Sequence, residues 1–220
     1  MHTFSTPVPI TATLDIPAGR VQFIADGQDT TTVEIGPADV AKGRDVKLAG
    51  QTSAEYSDGV LRIAATAGNR ILGSSGAVQV RVHLPAGSRV EAKAASTELR
   101  TTGRLADVSL ESARATVEVE EAATARLATV DGDITVARLG GDADIRTARG
   151  GIQVGEATGG TLVLHSVTGA ISVGAAAGVS ASLDAGTTSG RIRNALKNTG
   201  TADLAIHATT TLGDISARSL

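Results

Sequence analysis

The sequence predicts an all-β protein, a parallel β-solenoid of about seven two-strand rungs behind a mostly antiparallel N-terminal β cap. Three observations carry this: a repeat of roughly eighteen residues, alternation of apolar and polar positions within each repeat, and a near absence of aromatic side chains. The stretch "ATVDGDITVARL" (128–139) returns as "TARGGIQVGEAT" (147–158) and again as "SVTGAISVGAAA" (166–177). With 2 Phe, 1 Tyr and no Trp in 220 residues, the core has to be filled by small aliphatic side chains, which suits a thin, regular stack.

From the N-terminus, "ITATLDI", "RVQFIA", "TTVEIG", "GVLRIAAT" and "AVQVRVHL" alternate as strands do, and "PAG" (17–19), "SDG" (57–59) and "PAG" (85–87) supply the turns between them. Residues 1–90 are therefore expected to form the cap and first layers, running without a break into solenoid repeats over 91–220. The stretch "AGNRILGSSG" (67–76) reads as a mobile loop; its "GSSG" lacks the Lys and the strand-to-helix setting of a phosphate loop. Helical spacing with caps is not found convincingly anywhere.

In the repeat region an aliphatic marker follows each turn: Leu99, Val117, Ile134, Ile152, Ile171, Ile192 and Ile215. A second marker lies between successive ones: Leu110, Leu127, Ile145, Leu164, Leu183 and Ile206. The arc from second marker to next first marker is 7 residues at four successive steps and lengthens to 9 in the last two, so the other arc takes up insertions. Hexapeptide left-handed helices need an aliphatic every six residues, and calcium rolls need a repeated Gly-Gly-x-Gly-x-Asp; neither is present. Right-handed winding is expected from crossover chirality. Two places before the marker, Gly132, Gly150, Gly169, Gly190 and Gly213 form a column of turn glycines, preceded by Thr97 and Ala115 in the first rungs. Glycine there implies a positive φ or a site too crowded for Cβ. Beside it runs a hydroxyl column, Ser112, Thr129, Thr147 and Ser166, suited to bonding turn amides and one another.

A balance of 20 Lys and Arg against 23 Asp and Glu, net −3, offers no handle for phosphate backbones, and three scattered aromatics make no base-stacking platform. Nucleic acid is not an expected partner. No cysteine is present, so disulfides and thiolate metal sites are ruled out. The N-terminal stretch lacks the charge and apolar run of a signal peptide, and no segment reaches the length of a membrane span; a cytoplasmic location is expected, with the envelope reached only by an unseen export route.

No catalytic, cofactor-binding or metal-ligating residue is assigned, and no cofactor is expected. Two constellations are candidates. Asp131, Asp133, Asp142 and Asp144 could pair for acid/base work or hold calcium, but neighbouring rungs repeat no carboxylate, and Arg138, Arg146 and Arg149 stand ready to neutralise them. His165, Asp184 and His207 each follow the central apolar residue of successive rungs and are expected to project one above another, as a metal site or a group charging below about pH 6.5. The alternative for both is a solvated, salt-bridged surface ladder.

The run "VQVRVHLPAGSRVEAKAASTELRTTGRL" (78–105), the corners in "TVDGDITV" and "SVTGAISV", and the ending "SLDAGTTSGRIRNAL" with "TTTLGDISARS" resemble the bacterial β-strand-repeat family of DUF4097 type, labelled "putative adhesin", in its actinomycete form. The likeness spans about residues 11–218. It implies a β-strand-repeat fold, a link with envelope functions and no transferable catalytic residue. The expected role is thus a non-catalytic scaffold or binding protein with a protein or glycan partner. Alternatives are a self-assembling, cytoskeleton-like element pairing end to end through an edge at "LGDISARSL" (212–220), and, less favoured, an enzyme acting on polysaccharide.

Overall fold

The computed structural model describes residues 1–65 and 76–220; the expected mobile loop lies, but for Gly76, outside the described residues. The chain starts with β1 (His2–Ser5), β2 (Thr11–Ala25) and β3 (Thr30–Pro37). A short helix α1 (Gly43–Gly50) follows, then β4 (Thr52–Ser57), β5 (Val60–Ala65), β6 (Val78–Leu84) and β7 (Arg89–Asp131). The repeats continue as β8 (Ile134–Leu139), β9 (Ala143–Arg149), β10 (Ile152–Ala157), β11 (Gly160–Thr168) and β12 (Ile171–Ala175). They end with β13 (Ala181–Ser189), β14 (Ile192–Ala195), β15 (Leu204–Leu212) and β16 (Ile215–Ser219).

Each rung contributes one stretch to each of two parallel ladders. Leu127, Ile145 and Leu164 align in the first ladder, and Val117, Ile134, Ile152 and Ile171 in the second. Alternation directs these residues inward, where Leu127, Ile145, Ile134 and Ile152 are buried with almost no exposed area. The parallel stack starts earlier than the repeat markers suggest. All of β2 runs parallel to residues 89–103 of β7, from Thr11 beside Arg89 to Ala25 beside Gly103. On its other side β2 pairs in parallel with β5 and β6. The antiparallel partners lie beyond these: β4 on β5, and β3 then β1 on β6.

The length of β7, 43 residues, has a local cause. Where the corner carries glycine the strand is interrupted, after Asp131, Arg149, Thr168, Ser189 and Leu212. At Thr97 and Ala115 the corner has no glycine and the backbone stays extended through it.

Two features of the C-terminal rungs differ from the sequence reading. Leu183 and Ile206 do stand beside each other, but Ile206 aligns with Leu162, so the partners of Leu164 are Ala208 and, one strand on, Ala185. Counted from Ala185 to Ile192 and from Ala208 to Ile215, the arc is again 7 residues, as in every earlier rung. The 9-residue spacing belongs to Leu183 and Ile206, the bulkier residues two places before the inward alanines. Moreover, the rungs do not stack in chain order: β15 lies between β11 and β13, and β16 between β12 and β14. The chain skips one rung position, lays down β13 and β14, then returns to fill the gap; Asp203 N–H donates to Ser180 O at 2.8 Å on the way back.

The helix α1 has no counterpart in the sequence reading. It packs on β3, β4 and β6. Its buried Asp45 accepts the Ala77 N–H at 3.0 Å, and Thr52 Oγ1 donates to Leu48 O at 2.8 Å at its C-terminal end. At the same end of the stack Phe4 and Tyr56 meet with ring centroids 5.6 Å apart, and His2 stacks on Phe4. The aromatics that look scattered in sequence are thus gathered at the cap, with Phe23 buried beneath.

Candidate functional site

The glycine column stands at the corner where the chain passes from the first ladder to the second. Gly132, Gly150, Gly169, Gly190 and Gly213 all have φ between 128° and 157°. A Cβ on Gly150 would lie 2.1 Å from the Gly132 carbonyl oxygen, and one on Gly169 1.9 Å from that of Gly150. Both explanations for glycine therefore apply: backbone sign and rung-to-rung contact.

The hydroxyl column serves the same corner. Thr147 donates to Gly132 O at 3.3 Å, Ser166 to Gly150 O at 3.0 Å, Thr210 to Gly169 O at 3.1 Å and Thr187 to Gly213 O at 3.0 Å. These hydroxyls bond the glycine carbonyls of the neighbouring rung, in place of turn amides or one another. Ser112 and Thr129, at the start of the column, instead donate to carbonyls two residues on, Arg114 O at 2.9 Å and Asp131 O at 3.1 Å.

The winding places Asp131 and Asp133 at the glycine corner and Asp142 and Asp144 at the start of β9. Asp133 follows Gly132 at the glycine corner and accepts the Gly151 N–H at 2.7 Å. Asp142 lies at the far end of the strand, about 17 Å away at strand rise, and accepts the Thr161 N–H at 2.8 Å. Asp144 is held by both Nε and Nη2 of Arg146, at 2.8 and 2.9 Å. Asp131 meets Arg149 at 3.4 Å and Arg114 at 3.9 Å. Each carboxylate thus has its own partner, a backbone N–H for Asp133 and Asp142 and an arginine for Asp131 and Asp144. Asp214 repeats the device of Asp133: it accepts the Arg191 N–H at 2.9 Å, and this bond, helped by the Arg191 and Arg193 charges, holds its carboxyl below the usual carboxylate range.

The expected column of His165, Asp184 and His207 does not form. His207 stands beside Asp184, Nδ1 to Oδ2 at 3.4 Å, but on its other side it aligns with Val163. His165 aligns with Thr209 and Arg146, its Nδ1 2.8 Å from Thr209 Oγ1. The cause is the two-residue difference between Leu164 and Ile206 as register marks, which shifts His207 one outward position away from His165. Among the described residues no group of three His, Cys, Asp or Glu side chains is placed to hold a metal ion.

The outward rows are the remaining feature, visible only once the register is known. On the second ladder Arg81, Gln22, Arg100, Glu118, Thr135, Gln153, Ser172, Ser216 and Arg193 follow one another across adjoining strands. The charged end is laced by cross-rung pairs, Arg100 with Glu118 and Arg138 with Glu121 at 2.9 Å. Glu121 and Glu120 raise the Arg138 guanidinium above its ordinary value. On the first ladder a shallow groove of about 540 Å³ is bordered by Asp15, Arg62, Glu91, Lys93, Glu111 and Arg126. Lys93 and Glu111 already pair there at 3.4 Å.

A parallel β-solenoid whose distinctive corner residues bond rung to rung, and whose polar rows face outward, is the class that this fold and these positions define. The chain belongs to the family described as Toastrack DUF4097, which matches residues 19–219. That agrees with the resemblance carried by its repeats. No curated protein matches it. Among solved structures, a "putative adhesin" of Bacteroides fragilis is similar at 9% identity, covering 98% of this chain and 95% of that one, with a TM-score of 0.56. This is a likeness of fold. A "putative cell adhesion protein" of Clostridium sporogenes aligns at 9% identity over 98% and 94% of the two chains, with a TM-score of 0.43. Among the described residues no helix is long and apolar enough to cross a membrane.

Proposed function

We propose that this protein is a non-catalytic binding scaffold whose rigid ladders present rows of side chains to a protein or glycan partner. The observation that carries this reading is the use of the candidate chemistry: Asp133 and Asp142 cap backbone N–H groups of the next rung, and Asp144 and Asp131 are tied to arginines. What faces outward is a set of side chains spaced about 4.8 Å apart from rung to rung, a spacing suited to a repetitive or extended partner. The adhesin description of the Bacteroides fragilis neighbour supports a binding role in the same direction.

The test has two parts. The protein is incubated with envelope polysaccharide fractions while reducing ends and bound material are both measured. Saturable binding without new reducing ends supports the reading. Release of reducing ends that disappears in Asp131→Asn or Asp144→Asn would replace it with the polysaccharide-enzyme alternative. Protease added to intact cells carrying the tagged protein then decides the side on which the partner is sought. Protection fits an intracellular scaffold, digestion an adhesive role at the surface.

A further inference from the structure

The two ends of the stack are built differently. At the N-terminal end α1 lies over β3, β4 and β6, Phe4 meets Tyr56, and Val33, Leu61 and Ile63 beneath them are buried. At the other end β13 and β14 each pair on one side only among the described residues. Ile192 is 46% exposed there, whereas Ile134, Ile152, Ile171 and Ile215 of the same column are each 1% exposed. Residues 196–203 shield just the start of this rung, where Ala181 N–H donates to Lys197 O at 3.0 Å and Leu196 packs partly on the core.

Exposed edges of soluble proteins are ordinarily blunted by proline, lysine, a bulge or extreme shortness. The nine residues of β13, "ASLDAGTTS", contain no proline or lysine, and their one charge is Asp184. The four residues of β14, "IRNA", carry one charge of opposite sign, Arg193. A separate extended segment could cover one of these strands. A second copy of the chain offers both, at the same separation and with the charges exchanged.

We propose that this last rung is a homodimer interface, in which a two-fold axis lays β13 of each protomer along β14 of the other. Asp184 of each protomer then faces Arg193 of the other, and the exposed face of Ile192 is covered. Like ends joined by a two-fold axis form a closed pair, so this contact by itself does not propagate into a filament. This moves the self-association surface from the expected residues 212–220 to β13 and β14, because β16 is internal. The proposal goes beyond the binding-scaffold reading, and the outward rows of the other rungs stay available to a partner either way.

Sedimentation velocity over a dilution series of the full chain tests it. The expected result is a species of twice 22.0 kDa that dissociates on dilution. Asp184→Arg or Arg193→Asp alone should weaken it by about tenfold or more in Kd, and the double exchange should restore it. Ile192→Lys, at a position half open in the monomer, should leave the circular dichroism melt near that of the unaltered protein and abolish the dimer. A monomer at every concentration, species growing beyond two copies, or a dimer indifferent to all of these variants would each overturn the proposal.

Discussion

Gly150 shows how a single backbone position transmits order from rung to rung. Its φ of 145° belongs to a region that side chains avoid, and its Cα hydrogens face the Gly132 carbonyl where a Cβ would be 2.1 Å away. Gly150→Val is expected to cost about 1–3 kcal/mol from the backbone alone and to lower Tm by several degrees in a thermal melt; an unchanged Tm would contradict the corner geometry. The neighbouring hydroxyls permit a sharper comparison. Ser166 is buried and donates to Gly150 O, so Ser166→Ala should cost about 1 kcal/mol by leaving that carbonyl unpaired. Thr101 Oγ1 is the buried side-chain polar atom without a partner among the described residues, so Thr101→Val should be neutral or stabilising by about 1 kcal/mol. Urea midpoints of the two variants shifting the same way by the same amount would mean that burial matters here and the hydroxyl bonds do not.

At the scale of the rung, the constant element is the arc of 7 residues between the inward side chains on either side of the glycine corner. Four such arcs are legible because Leu110, Leu127, Ile145 and Leu164 are large. The last two are not, because Ala185 and Ala208 occupy the same inward place and an alanine does not stand out from its surroundings. The same two-residue offset sets His207 beside Val163 and Thr209 beside His165. Helix α1 was hidden for a related reason: "GRDVKLAG" has too few turns to show a period, and tertiary contacts with β3, β4 and β6 hold it. The corner carboxylates also act at this scale, by tying one rung to the next. The carboxyl of Asp214 is held below its ordinary 3.8 in the folded chain, chiefly by the Arg191 N–H. Its contribution is therefore full above that value and is lost as pH falls through the lower folded one. Asp214→Asn should lower the urea midpoint at neutral pH, with the gap from the unaltered protein narrowing below about pH 3.8. A gap that stays constant under acid would show that Asp214 does not cap the Arg191 N–H.

For the whole molecule, the decisive feature is the exchanged order of the last two rungs. It has a direct consequence for crosslinking, since the chain has no cysteine of its own. Ser172 and Ser216 face each other on adjacent strands with Oγ atoms 3.3 Å apart, and Arg193 lies one strand further out. The pair Ser172→Cys with Ser216→Cys is expected to form a disulfide under mild oxidation, since adjacent strands about 4.8 Å apart suit its geometry. Ser172→Cys with Arg193→Cys should not, being about 9.6 Å apart. Stacking in chain order would give the opposite pattern in peptide mapping. The exchange also determines which rung is left with an open edge.

The sequence by itself determined the fold class, the two-strand rung and the glycine corner. Each of these is a local rule, an alternation of two or a fixed short arc, repeated often enough that chance is excluded. It also determined the absence of thiol chemistry, which composition alone settles. Only the tertiary structure decided which rung lies beside which, where β13 and β14 stand, and which outward residues become neighbours. Those depend on pairings between strands separated by a loop, and the backbone hydrogen bonds of any rung accept the next strand that arrives. The same reason accounts for the fate of the candidate sites. Asp133 and Asp142 are near each other in sequence but at opposite ends of a strand in space, and His165 and His207 fall one outward position out of line.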